Sequence, residues 1–136
     1  MVNLLIFLTP KSETLYLSHN STVRQILENF DVHKFSVVPL IDDDGFFVST
    51  ISEGDVLRFI KNSCKFDISI AEKTKVKDLE LYRSYKALPI STPMDEVVRL
   101  ALEQNFIPIV DDRGVYIGIV KRKSIIDFLL SKINLS

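Results

Sequence analysis

Apolar residues follow two spacings along this chain, one typical of helices and one typical of buried strands. One helix face is predicted after the N-cap residues Asn20-Ser21-Thr22, because apolar side chains recur at Val23, Ile26, Leu27 and Phe30. The run Val37–Ile41 is dense in β-branched residues, which indicates a buried strand. An acidic turn closed by Gly45 leads into a second strand, and glycine there accepts a positive φ without steric cost. A polar stretch, Ser52-Glu53-Gly54-Asp55, then opens a helix predicted from Asp55 to Asn62.

The same order of elements occurs a second time. A shift of 69 residues superposes three marker residues of the hairpin, Pro39, Asp42 and Gly45, on Pro108, Asp111 and Gly114. Upstream the shift becomes 71, so the second copy is predicted to lose two residues at the end of its first helix. Because each repeat is one supersecondary unit, the repeat is stronger evidence for the architecture than any single predicted element.

The repeat predicts the domain organisation. Residues 1–62 form the first copy with an N-terminal strand, residues 63–77 a connector, and residues 78–136 the second copy. Each copy has the order β-α-β-β-α and too little core to stand alone. We therefore expect an α+β fold in which two tandem halves, related by a pseudo-twofold axis, pack their sheets face to face into one globular module. Clefts between the halves would lie near the strand-to-helix junctions.

Composition narrows the function classes. The hydrophobic fraction is 46% and the formal net charge is −1, so a core is expected and binding of nucleic acid through a basic surface is not. The single cysteine, Cys64, suits a reducing compartment. The apolar run Leu4–Leu8 is too short to span a bilayer and lacks the flanks of a signal peptide. These features predict a cytoplasmic protein with no membrane attachment.

The sequence offers no catalytic constellation. No Ser/His/Asp or Cys/His arrangement can be assembled, and no GxGxxG or GxxxxGK[ST] motif occurs. The two histidines, His19 and His33, have no cysteine or carboxylate at metal-ligand spacing. We expect neither enzymatic activity nor a metal nor a required cofactor.

The duplicated pattern resembles the CBS motif. The first copy contains VVPLIDDDG followed by TISEGDVL, and the second contains IPIVDDRG followed by IGIVKRKSII. Two such motifs in tandem look like a CBS pair, or Bateman module, and the resemblance covers residues from about Leu15 to Leu130. It implies a regulatory module that binds adenosine-containing ligands between its motifs, with AMP, ADP or ATP ahead of S-adenosylmethionine. It also implies a homodimer that is read by a regulated protein, which the sequence does not identify.

The resemblance assigns the main ligand cleft to the first copy's junction. Asp55 would receive the ribose hydroxyls, Ser52 would face the phosphates, and Thr50 would wall the adenine. Carboxylates suit a vicinal diol, and a helix N-terminus suits phosphate. The opposite motif would complete the cleft with Ala87, Asn105, Phe106 and Ile107, where Phe106 packs on the purine and backbone groups near Ile107 read its edge.

The second cleft departs from the family pattern. Its predicted residues are Lys11, Tyr16, Phe35, Ser36 and Val37, facing Ile119, Lys121 and Ser124. Ser124 stands where the ribose aspartate is expected, and Lys121 stands where the serine or threonine is expected. The run Lys121-Arg122-Lys123 either favours phosphate groups or is a solvated turn.

Two readings compete with ligand binding. Ser52 and Asp55 are also suitable for capping the helix and nothing more. The whole module is also suitable as a ligand-free scaffold that dimerises through apolar helices such as Ile125–Leu130.

Overall fold

The computed structural model describes residues 3–33, 37–62, 65, 67–81 and 84–134, and within them it confirms the predicted α+β class. The strands are β1 Leu8–Pro10, β2 Leu17–Ser18, β3 Val37–Ile41, β4 Phe47–Ser52, β5 Leu88–Pro89, β6 Phe106–Val110 and β7 Tyr116–Lys121. The α-helices are α1 Val23–His33, α2 Glu53–Asn62, α3 Ile68–Lys73, α4 Met94–Ala101 and α5 Arg122–Asn134. The predicted order β-α-β-β-α therefore occurs twice. The second copy's first helix is the shorter one, as the change in repeat offset predicts.

The chain forms two compact units, and their composition differs from the sequence repeats. The first unit is Leu15–Ser84, and the second unit is Met1–Thr14 together with Tyr85–Ser136. The boundaries predicted at residues 62 and 78 describe the repeats in the sequence and stay a prediction. The shared core and the twofold axis also stay predictions.

The first unit is built on a three-stranded sheet in the order β2-β3-β4. β2 runs parallel to β3, and β3 pairs antiparallel with β4, which places Val38 opposite Ile51. The core lies between this sheet and the helices and contains the apolar positions that define the repeat. Its buried residues are Val23, Ile26, Phe30, Val38, Leu40, Ile51, Val56, Ala71 and Val76.

The predicted connector is part of this unit's structure. It contains α3, which Asp67 caps by accepting a 3.0 Å hydrogen bond from the Ser69 N–H. Ala71 and Val76 are buried in the core. The Val76 N–H donates to the Ser21 carbonyl at 2.8 Å, so the segment after α3 is tied to the start of α1.

The second unit has a four-stranded sheet in the order β1-β7-β6-β5. β1, from the N-terminal segment, pairs antiparallel with β7 of the second copy, with Leu8 opposite Val120. Leu4 and Phe7 are buried in this unit's core. The rings of Phe7 and Phe128 pack in a T-shaped arrangement, with their centroids 5.2 Å apart. Burying a side chain of this size contributes about 1.5–3 kcal/mol. The N-terminal apolar run is therefore core material of the second unit. No helix in the described part of the chain is long and apolar enough to cross a membrane.

The hairpin turns of the two copies share the same internal hydrogen bonds. Asp42 Oδ1 accepts from the Asp44 and Phe46 N–H groups, and Asp111 Oδ1 accepts from those of Arg113 and Val115. Each turn closes on a glycine with positive φ, 89° at Gly45 and 93° at Gly114, as predicted. In the second copy the hydrogen bond from the Val115 N–H is the main cause that lowers the pKa of the Asp111 carboxyl below its usual range.

Candidate functional site

The predicted pair Ser52 and Asp55 meets at the junction of β4 and α2. The Ser52 hydroxyl accepts from the Asp55 N–H at 3.1 Å. The Asp55 carboxylate returns the contact, because its Oδ2 accepts from the Ser52 N–H at 2.9 Å and from the Ser52 hydroxyl at 3.0 Å. This reciprocal arrangement is a capping box, which satisfies backbone donors that the first turn of a helix leaves without a partner.

Burial makes this cap unusual for a surface junction. Asp55 is 2% exposed, and a carboxylate at that depth is costly unless donors surround it. The two hydrogen bonds that Ser52 donates to the carboxylate and the positive end of α2 supply that stabilisation. The capping role of the pair is therefore part of the structure, and its ligand role stays a prediction.

Arg58 completes the site and was not predicted from the sequence. Its guanidinium donates from Nη2 to Asp55 Oδ1 at 2.7 Å, one turn further along α2. The Arg58 side chain is 41% exposed, so it connects a buried carboxylate with solvent. The signal was present in the sequence as opposite charges three residues apart on a predicted helix.

A pocket of about 290 Å³ opens beside this ion pair within the first unit. Its lining residues are Asp55, Arg58, Phe59, Asn62, Asp78, Leu79 and Glu80. Three carboxylates and one guanidinium give the lining an acidic balance, which favours hydroxyl and ammonium donors over phosphate groups on this side of Asp55.

Thr50 is fully buried in β4, two residues before Ser52. It lies opposite Pro39 of β3, and its N–H donates to the Ser84 hydroxyl at 3.1 Å. The strand therefore fixes the spacing between Thr50 and the capping pair. Its predicted place beside the adenine stays a prediction.

The remaining residues predicted for the main cleft belong to the second unit. Asn105 is exposed, and Phe106 and Ile107 begin β6. Ala87 immediately precedes β5 and is half-buried. The Phe106 ring contacts the Tyr85 ring, with centroids 5.0 Å apart and planes inclined at 59°. These four residues thus lie on two adjacent segments of one unit.

The residues predicted for the second cleft are also divided between the units. Lys11, Ile119, Lys121 and Ser124 belong to the second unit, and Tyr16 and Val37 belong to the first. Phe35 and Ser36 lie outside the described residues. The register of β6 and β7 places Phe106 opposite Lys121, and that of β3 and β4 places Val37 opposite Ser52. In each unit, residues predicted for different clefts therefore sit on paired strands.

The junction of β7 and α5 lacks the carboxylate of its counterpart. The first turn of α5 has no acidic residue, and in the described part of the chain Ser124 makes no side-chain hydrogen bond. Within the basic run, Arg122 donates from Nε to the Ala101 carbonyl at 2.6 Å and from its backbone to Asn105 at 2.9 Å. Arg122 therefore ties α5 to the end of α4, while Lys121 and Lys123 are exposed.

Two β-α-β-β-α copies, one of which carries a polar strand-to-helix junction, define the chain as a tandem-repeat α+β module. The family model of the CBS domain matches residues 8–62 and 76–131. The chain therefore belongs to the CBS-domain family, and the predicted tandem pair is confirmed.

Similar proteins occur in archaea and eukaryotes. An uncharacterized protein of Methanocaldococcus jannaschii is 28% identical over 134 residues, which cover 77% of this chain and 79% of that protein. The gamma subunit of the 5'-AMP-activated protein kinase of Saccharomyces cerevisiae is 27% identical over 113 residues. That match covers 79% of this chain and 34% of the subunit, so the chain spans about a third of its length.

A solved structure shares the fold along almost the whole chain. The CBS-pair protein CBSX2 of Arabidopsis thaliana, in its complex with AMP, is 28% identical with a TM-score of 0.75. The match covers 96% of this chain and 98% of that chain.

Proposed function

We propose that this chain is a regulatory module that binds an adenosine nucleotide at the Ser52–Asp55 junction. The observation that carries the proposal is the buried Asp55 carboxylate at the start of α2, held in place by Ser52. Two similarities support it, the AMP complex of CBSX2 and the yeast kinase gamma subunit. AMP, ADP and ATP come ahead of S-adenosylmethionine as ligands, and the module needs no cofactor of its own.

The junction offers suitable chemistry for a nucleoside. Asp55 Oδ1 already accepts a hydrogen bond from the Arg58 guanidinium, and a carboxylate oxygen also accepts from neutral donors such as a ribose hydroxyl. Charge-assisted bonds of this type are about twice as strong as neutral ones. The Ser52 hydroxyl at the N-terminus of α2 is the group we propose for the phosphate side. We propose that Ala87, Asn105, Phe106 and Ile107 contribute to binding the same ligand.

The proposed role is regulation without catalysis. A ligand shifts a module between two states only by its different affinity for them, and a partner protein reads the shift. We place this process in the cytoplasm, in keeping with a single cysteine and no disulfide framework. A thermal-shift panel of AMP, ADP, ATP and S-adenosylmethionine tests the class, because ligand at 100 times Kd stabilises the folded state by about 2.7 kcal/mol.

Asp55→Ala should lower the affinity for AMP about ten- to a hundredfold, because it removes a charged acceptor from the ribose. Ser124→Ala is the matched control at the equivalent position of the second copy, where no carboxylate is present, and it should change the affinity little. Calorimetry on both variants, at a temperature where circular dichroism shows them folded, gives the comparison. Equal losses in the two variants contradict the assignment.

The 2′-hydroxyl provides an independent arm of this test. 2′-Deoxy-AMP should bind the parent more weakly than AMP does. In Asp55→Ala the two ligands should bind almost equally, because the partner of that hydroxyl is already gone. A parent that does not distinguish the two ligands rules out the ribose role of Asp55.

The alternative function is a ligand-free dimerisation scaffold. Exposed apolar side chains on the helices favour association between copies of the chain. Leu57 on α2 and Ile126, Leu129 and Leu130 on α5 are exposed, whereas the neighbouring residues Val56 and Ile125 are buried in the cores.

We expect a homodimer in either case, with Leu129→Glu shifting it toward monomer because a charge would have to be buried at the interface. Light scattering at micromolar concentration measures the mass. A parent that is monomeric at that concentration contradicts the proposed dimer.

A further inference from the structure

Gln104 is a buried polar residue that the proposed site does not use. It is 6% exposed and lies in the second unit, just before β6. Its side-chain amide makes three hydrogen bonds, all to backbone groups. Oε1 accepts from the Lys86 N–H at 2.7 Å, and Nε2 donates to the carbonyls of Lys86 and Phe106, each at 3.1 Å.

The amide extends the sheet beyond its last backbone pair. β5 and β6 are paired through Leu88 with Ile109 and through Pro89 with Val110. Lys86 precedes this ladder, and the Gln104 amide bonds both of its backbone groups as a neighbouring peptide unit would. The same amide also holds the carbonyl at the start of β6. A side chain therefore fixes the separation of the two segments where backbone pairing does not.

These two segments carry the residues assigned to the adenine. Ala87 follows Lys86 directly, and Phe106 is the residue whose carbonyl Gln104 binds. The ring contact between Tyr85 and Phe106 also joins these two segments, in this case through side chains. Gln104 is therefore hydrogen-bonded to both of the segments that carry these residues.

The two copies of the repeat differ at the position of Gln104. The 69-residue shift that superposes the two hairpins places Phe35 at the position of Gln104. The first copy thus has an aromatic residue where the second has a buried amide. A glutamine without hydrogen-bond partners is costly to bury, so its three bonds to these particular segments are the reason it can stand there.

We propose that Gln104 is a positioning residue for base recognition, holding Tyr85–Ala87 against the start of β6 so that Phe106 and its neighbours present a fixed surface to adenine. This inference rests on the proposed nucleotide-binding function.

Gln104→Met tests it, since methionine has similar volume and none of the three hydrogen bonds. Val97→Ala is the control for loss of packing alone, because Val97 is fully buried in α4 and shares a core cluster with Leu88 and Ile107 but makes none of the Gln104 hydrogen bonds. Calorimetry with AMP and IMP is done where each variant is more than about 95% folded by circular dichroism. IMP differs from AMP at the base alone.

Gln104→Met should lose about tenfold in AMP affinity and most of the preference for AMP over IMP, because base contacts would no longer be held in place. Val97→Ala should keep both within about twofold. A parent that binds AMP while Gln104→Met retains its affinity and its base preference overturns this inference alone. A parent that binds neither nucleotide overturns the proposed function as well.

A measurement on the parent keeps the inference testable if Gln104→Met does not fold. NMR titration with AMP should shift the Gln104 side-chain amide signals and the Lys86 backbone amide signal, because both belong to the positioned segments. If these signals stay unchanged at saturation while others move, the inference is overturned.

Discussion

Gly118→Ala should lower the free energy of unfolding by about 3 kcal/mol, because the position is closed to a side chain in two ways. A Cβ atom built at Gly118 would lie 2.2 Å from the Thr9 carbonyl oxygen, which belongs to the backbone of β1 and cannot rotate away. The φ angle of Gly118 is also +151°, a conformation that L-residues rarely adopt. Urea denaturation followed by circular dichroism measures the change.

Gly54→Ala is the control for this experiment. The nearest atoms to its added Cβ are 3.7 Å away, an ordinary contact distance, and the residue lies within α2. Alanine is favoured over glycine in a helix by up to about 1 kcal/mol, so this variant should be as stable as the parent or more so. A Gly118→Ala protein that is as stable as Gly54→Ala would show that β1 does not depend on a glycine in β7.

Asp55→Ala should destabilise the folded state by about 2–3 kcal/mol in the absence of any ligand. The substitution removes the acceptor of the Ser52 N–H and leaves the capping box with one arm. It also removes the carboxylate that faces the Arg58 guanidinium, although the exposure of Arg58 to solvent reduces that part of the loss. Thermal and urea denaturation of the ligand-free protein measure the effect.

Ser124→Ala again provides the comparison. Ser124 has no side-chain hydrogen bond in the described part of the chain, and alanine is a good helix former, so its stability should stay within about 0.5 kcal/mol of the parent. A larger loss at Ser124 than at Asp55 would mean that the two junctions owe their stability to something other than the cap.

Helix and strand positions were predictable where a segment was long enough for its apolar residues to show a helical or strand period. The face of α1 follows Val23 and Ile26, and both are fully buried. The start of α2 was predicted at Asp55 and lies at Glu53, because the capping Ser52 places the first turn before the first apolar residue. The helix α3 was missed, since six residues with one buried alanine contain too little periodicity.

The partner of the N-terminal run was not predictable from its residues. Leu4–Leu8 is apolar throughout. An apolar run indicates that a segment is buried, but it does not indicate which element the segment packs against. Its pairing with β7 is a nonlocal contact, fixed by the close approach that Gly118 allows. The repeat in the sequence defines the two motifs. The compact units differ from the motifs because the N-terminal segment pairs with β7 of the second copy.

The candidate site was predictable in part for similar reasons. Ser52 and Asp55 are neighbours along the chain at a junction of known chemistry, so the motif alone brings them together. Gln104 was missed because its partner Lys86 lies 18 residues away along the chain and is brought to it by the tertiary structure. A polar residue opposite Phe35 in the repeat alignment was the one available signal.

The pairing of β1 with β7 also sets an order of events during synthesis on the ribosome. The first unit is one continuous segment and can complete its sheet as soon as Ser84 has emerged. The N-terminal segment must wait, since Thr14 and its partner Tyr116 are 102 residues apart. At typical elongation rates this interval is roughly 5–20 s. For most of this interval the core partners of Leu4 and Phe7, which begin at Leu88, have not been synthesised. This segment is therefore the part of the nascent chain best suited to engage a chaperone.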